Sequence, residues 1–168
     1  MDIFIIKTAE ADKINDDLLK EFQRKNITYK TSLKEHSLMY LMLDRILKEV
    51  YKINNPKIEF INEKPYLNNN EKYISLSHSK DYILIGISDF ECGIDIEYMK
   101  PRNYTKISKR MKFKCNTIEE FYFCWTKYEA KYKLNQEYKS INQTKFENYA
   151  ITTLSSNPEE KFEIYYQN

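Results

Sequence analysis

The sequence predicts an α+β domain, with no residue-level repeat but an element order that permits two related halves. Three observations support this. Two long helical patterns lie near residues 33–50 and 117–134, short alternating strands surround each, and the 168 residues suit one compact unit rather than separate domains. The halves divide at 1–90 and 91–168 without an evident linker, since the chain has four prolines and no Ser/Gly tract.

Residues 2–6 (DIFII) form an apolar run that reads as a strand, and 10–25 as a weakly patterned helix. Ser32 followed three residues later by Glu35 is a capping-box spacing, because each side chain satisfies an amide the helix leaves open. The helix it opens carries Leu38, Met39, Met42, Leu43, Ile46, Leu47 and Val50 at helical spacing, the expected core face. Asn54-Asn55-Pro56 ends it, since the residue before proline avoids the α region. KIEFI (57–61) alternates as a strand, and Lys64-Pro65 reads as a lysine beside a rigid turn. Asn68-Asn69-Asn70 turns the chain into YISLS (73–77), and YILIGI (82–87) is a more deeply buried strand.

A further strand runs from Cys92 through Gly93-Ile94-Asp95-Ile96-Glu97. Asn116 caps the second long helix, with Glu119 and Glu120 in its positive first turn. That helix extends to Leu134 and carries Ile118, Phe121, Trp125, Tyr128 and Tyr132 on one side. Two late strands are expected near 147–153 and 161–166, around a turn at Asn157-Pro158.

Composition excludes several classes of function. Two glycines are too few for a glycine-rich phosphate loop. Twenty-seven basic against 25 acidic residues leave +2, so no global field marks a nucleic-acid or membrane binder. Three cysteines without CxxC spacing argue against a disulfide framework or zinc knuckle. No signal-peptide pattern or membrane-length apolar run occurs, and the expectation is a soluble, cytoplasmic protein.

The chemistry concentrates in GIDIE. Strand alternation puts Asp95 and Glu97 on one face, roughly 6–7 Å apart, where they can converge on one hard cation. Gly93 leaves room for a ligand or another backbone to approach. The plain alternative is an ordinary polar strand face. On the second helix Thr126, Glu129 and Lys133 share a face; Glu129 adds a third carboxylate, or forms only a surface pair with Lys133. Ser75-Leu76-Ser77-His78-Ser79 ends a strand; His78 beside serines reads either as a hydrogen-bonded turn residue or, with the hydroxyls and backbone amides, as a phosphate site. Residues 100–114 hold seven Lys/Arg and no acid, a solvated face or an electrostatic docking segment.

In order and separation, EKPYL, YISLSHS, GIDIE and WTKYEAKYK resemble the surfactin-type 4′-phosphopantetheinyl transferase superfamily, over about residues 33–135. The resemblance implies Mg2+-dependent (or Mn2+-dependent) transfer of 4′-phosphopantetheine from coenzyme A to a serine of an apo acyl or peptidyl carrier protein, releasing 3′,5′-ADP. It implies Asp95, Glu97 and Glu129 as metal ligands, Glu129 and Lys133 as catalytic residues, and Lys64, Pro65, Ser77 and His78 as coenzyme A contacts. Family carriers are acidic, so Lys106, Lys109 and Arg110 become the expected partner contact. With two halves in one chain, a monomer is expected.

Three positions depart from the family pattern. Tyr128 stands where a lysine is usual, Glu63 where a glycine precedes Lys-Pro, and His36 where an arginine is common; the C-terminal half is also short. Two other readings remain beside the enzyme. One is a coenzyme A- or carrier-binding homologue of reduced activity, motivated by Tyr128, and the other a basic RNA-binding protein.

Overall fold

A computed structural model of the protein describes residues 1–9, 33–61, 64–67 and 72–167. The expected helix at 10–25, the Ser32 cap, Glu63 and the Asn68–Asn70 turn lie outside the described residues, as does the side chain of His36. The architecture is α+β. Strand β1 (Asp2–Lys7) precedes helix α1 (Leu33–Glu49), followed by β2 (Ile58–Ile61), β3 (Lys64–Leu67), β4 (Tyr73–Ser79), β5 (Tyr82–Ser88) and β6 (Cys92–Tyr98). Helices α2 (Tyr104–Met111) and α3 (Ile118–Leu134) come next, then β7 (Ser140–Phe146), β8 (Tyr149–Ser155) and β9 (Glu163–Gln167).

The strands form two sheets, a six-stranded one in the order β2-β3-β4-β5-β1-β9 and a three-stranded one in the order β6-β8-β7. β9 runs parallel to β1 from Asp2↔Glu163 to Ile6↔Gln167, so the last strand returns to the sheet of the first half. Both β4-β5 and β7-β8 close through two-residue turns, at Lys80-Asp81 and Glu147-Asn148.

Alternation assigns the cores. Phe4, Ile6, Ile74, Ile83, Ile85 and Ile87 point toward α1 and pack with Leu38, Met39, Leu43, Ile46 and Leu47. Ile3, Ile5, Tyr82 and Leu84 point the other way and meet Ile94, Ile96, Tyr149 and Ile151 of the smaller sheet. Each fully buried aliphatic side chain contributes about 1.5–3 kcal/mol, so these two layers carry most of the stability. The outer face of the smaller sheet is covered by α3, with Ala130 and Leu134 over Leu154, and Phe121 and Tyr122 near Met99 and Ala150.

Gly93 explains how α3 sits so close. A Cβ built there would lie 2.0 Å from the Ala130 carbonyl oxygen and 2.7 Å from the Leu134 nitrogen. The approaching group at Gly93 is therefore helix backbone, one of the two options the sequence left open.

Several expectations need correction. Val50 falls beyond the end of α1 and is 53% exposed, not core. Lys64-Pro65 is the start of strand β3, paired with β2 from Ile61↔Lys64 to Ile58↔Leu67, rather than a turn. The cap of α3 is Thr117, whose hydroxyl accepts the Glu120 amide at 3.1 Å, while the Glu120 carboxylate accepts the amide of Asn116. Tyr128 and Tyr132 leave the apolar side and are 48% and 77% exposed; the buried line of α3 is Phe121, Tyr122, Thr126, Ala130 and Leu134. β7 was not anticipated, because an edge strand with one wet face (SINQTKF) has no apolar run to signal it. Of the late strands, β8 starts two residues later than expected, and so does β9.

Candidate functional site

The site is built on one face of β6. Ile94 and Ile96 turn inward to the second core, which sends Asp95 and Glu97 to the opposite side, toward α3. Helical spacing brings Glu129 and Lys133 to the same place from α3. Lys133 Nζ donates to Asp95 Oδ1 at 2.7 Å, and the Ser77 hydroxyl donates to the same oxygen at 2.7 Å. Asp95 is only 5% exposed, and its other oxygen, Oδ2, is buried without a hydrogen-bond partner.

Crowding of negative charge and burial both act on the two glutamates. Burial raises the pKa of Glu97, and the Asp95 charge raises it further; hydrogen bonds from Ser79 and Trp125 and the charge of Arg102 pull it back. Glu129 is likewise raised by burial and then by Asp95, with Lys133 opposing. Asp95 is thus the charge that both glutamates sense. Glu129 makes no hydrogen bond or ion pair among the described residues, and Lys133 bonds Asp95 rather than pairing with Glu129 on the surface.

Below the carboxylates the packing is polar and satisfied. Thr126, fully buried, meets Thr152 at 2.7 Å, and Gln143 donates to Thr152 Oγ1 at 2.9 Å. The sequence placed Thr126 on a face apart from the main apolar stripe; it is instead part of the buried seam, because Thr152 sits opposite Asp95 in the β6-β8 register.

The other expected residues are more scattered. Lys64 is bound to Glu91 at 2.7 Å, beside Cys92, three residues or about 10 Å of strand from Asp95. Pro65 is buried in β3. His78 follows Ser77 on β4, so it projects to the opposite face, where it is exposed. The structure therefore brings Ser77, Asp95, Glu97, Glu129 and Lys133 together and leaves Lys64, Pro65 and His78 outside that group.

Lys127, the neighbour of Tyr128, lies over the Tyr138 ring at 5.2 Å. In the basic segment, Tyr104, Ile107 and Phe113 pack toward α3, which leaves Lys106, Lys109 and Arg110 exposed and without ion pairs among the described residues.

Sequence reasoning read the hydroxyls of Ser75 and Ser79 as strand-end or phosphate-site groups and missed their partners on β6. Their hydroxyls accept the Ile94 and Tyr98 amides, each at 3.0 Å. The signal was present as S-x-S-x-S over 75–79, a period-two row that puts three hydroxyls on one strand face.

Among the described residues, no three His, Cys, Asp or Glu side chains converge as a ready metal-ligand set, and no helix is long and apolar enough to cross a membrane. The donor chemistry nonetheless suits a hard divalent cation. An orphaned, buried carboxylate oxygen lies beside two glutamates whose ionised forms Asp95 disfavours, and a cation would relieve both conditions. No protein-family model matches the chain, and no curated protein matches it.

Proposed function

We propose that the chain is a magnesium-dependent 4′-phosphopantetheinyl transferase, with the two-halved fold of that superfamily, acting on coenzyme A and an acidic apo-carrier protein. The observation that supports the reading best is Asp95: buried, held at one oxygen by Ser77 and Lys133, unpartnered at the other, and flanked by Glu97 and Glu129. Structural ion pairs seldom leave a buried carboxylate oxygen without a partner, whereas cation sites present one.

In this reading Asp95, Glu97 and Glu129 hold the cation. A bound Mg2+ would neutralise charge on the coenzyme A diphosphate. Glu129, directly or through water, takes the proton of the carrier serine. The serine oxygen bonds to phosphorus as the bond to the departing 3′,5′-ADP breaks. Lys133 pairs with Asp95 and contributes positive charge near the phosphates. Exposed Lys106, Lys109 and Arg110 steer the acidic carrier.

A second reading, a coenzyme A- or carrier-binding homologue of reduced activity, is favoured by exposed Tyr128 and by Lys127 turned to Tyr138. Intact-mass analysis separates them. Apo-carriers incubated with coenzyme A, Mg2+ and the protein gain about 340 Da if phosphopantetheine is transferred, and Asp95→Ala abolishes the gain. Carrier or coenzyme A binding with no mass gain selects the second reading, and RNA affinity without coenzyme A binding defeats both.

A further inference from the structure

The six-stranded sheet does not merely pack on the three-stranded one; it reaches across to the carboxylates through a row of serines. β6 is an edge strand of its sheet, so amides on the side away from β8 need acceptors from elsewhere. Ser75, Ser77 and Ser79 supply them. Ile94 N–H reaches Ser75 Oγ at 3.0 Å, Ile96 N–H reaches Ser77 Oγ at 3.4 Å, and Tyr98 N–H reaches Ser79 Oγ at 3.0 Å. The step of two residues on β4 matches the step of two on β6, so the row keeps register along its length.

A serine hydroxyl has one proton to give. Once an amide proton arrives at Oγ, the hydroxyl proton is left to point elsewhere. Ser77 donates it to Asp95 Oδ1 at 2.7 Å, and Ser79 donates it to Glu97 Oε2 at 3.1 Å. Each of these serines thus takes the amide of one β6 residue and gives to the carboxylate of the residue before it. Ser75 likewise accepts an amide, that of Ile94, but faces Gly93, which has no side chain to receive its proton. The row therefore contains its own control: three serines join the sheets, but only two touch acid.

We propose that Ser77 and Ser79 are positioning residues that hold Asp95 and Glu97 as a fixed pair of oxygen donors, with Asp95 Oδ2 left open for a cation. This rests on the cation-site reading above and gives Ser77 a different task from the coenzyme A contact implied by the resemblance. It also makes the larger sheet part of the site, although both carboxylates belong to the smaller one.

The experiment uses the full chain with Mn2+ alone as probe. Binding is followed by the electron paramagnetic resonance signal of free Mn2+, and amide hydrogen exchange by NMR, in wild type, Ser75→Ala, Ser77→Ala, Ser79→Ala, Ser79→Thr and Asp95→Ala. Each alanine speeds exchange of its own partner amide: Ile94, Ile96 or Tyr98. Only Ser77→Ala and Ser79→Ala weaken Mn2+ binding, by about tenfold or more, the usual cost of losing an outer partner of a ligand. Ser79→Thr, which keeps a hydroxyl, restores affinity.

Wild-type affinity in Ser77→Ala and Ser79→Ala, with binding lost in Asp95→Ala, overturns the positioning role and leaves the cation site standing. Equal weakening in Ser75→Ala also overturns it, since the serines would then act only by joining the sheets. If wild type and Asp95→Ala alike bind no Mn2+, the cation reading falls and takes this proposal with it. Should Ser77→Ala not fold, partly exposed Ser79 decides the matter through its Ala and Thr variants.

Discussion

Helices α1 and α3 are both 17 residues long and each covers one sheet, yet they seal those sheets with different chemistry. α1 presents Leu38, Met39, Leu43, Ile46 and Leu47 to a face of Ile, Leu and Phe, a mainly apolar layer among the described residues. α3 puts Ala130 and Leu134 beside Thr126, with Glu129 and Lys133 over Asp95, and comes within backbone contact at Gly93. Burying polar groups costs free energy unless they are paired, so the α3 layer gives up stability that the α1 layer retains. The difference indicates which layer serves stability and which serves chemistry.

The largest effect that tests this contrast is at the close approach. Gly93→Ala drives a methyl into the Ala130 carbonyl and is expected to cost about 3–5 kcal/mol, or to prevent folding, as read from urea unfolding. Gly86→Ala meets side chains rather than backbone, Ile94 at 2.9 Å and Met1 Sδ at 3.7 Å, which can yield; its cost is about 1–2 kcal/mol. Equal costs at the two glycines would mean that α3 is not held as tightly as described.

Next is the ion pair. Lys133→Met leaves Asp95 buried with Ser77 as its remaining donor and lowers stability by about 2 kcal/mol. That is below the loss for a fully buried pair because the Lys133 side chain is 27% exposed. Asp95→Asn combined with Lys133→Met recovers most of the loss, since no uncompensated charge remains. A double variant no better than Lys133→Met alone would show that the pair is not the coupled unit.

The smallest effect has the opposite sign. Burial and Asp95 raise the Glu129 pKa above its ordinary value of 4.5, so the folded state binds this proton more tightly than the unfolded chain does. The resulting stabilisation is complete below about pH 4.5 and is lost as pH rises through the raised folded-state pKa. Glu129→Gln is therefore expected to raise Tm by about 2 °C at pH 7, a modest gain for a half-exposed group, and to change nothing in acid. A lowered Tm at pH 7 would mean that Glu129 contributes a favourable contact instead.

Much of this contrast was legible before the structure. A period of two put Asp95 and Glu97 together, and helical spacing gathered the α1 core from Leu38 to Leu47. The destination of Lys133 was not legible: it has a glutamate four residues before it on its own helix, and only the long-range docking of α3 on β6 offers it Asp95. Thr126 was misplaced for a related reason, since its partner Thr152 is 26 residues away on a strand. Tyr128 and Tyr132 look apolar in sequence, but the side they extend leaves the sheet before reaching them. The serine row was written plainly in 75–79, but its meaning depends on the edge of β6, and strand neighbours across two sheets have no local signal.

Crystals grown or soaked with Mn2+ and measured at a wavelength where manganese scatters anomalously would test the account most directly. It predicts one strong peak touching the carboxylates of Asp95, Glu97 and Glu129, and none in Asp95→Ala. A wild-type map with no peak there, or a peak that survives in Asp95→Ala, would contradict it.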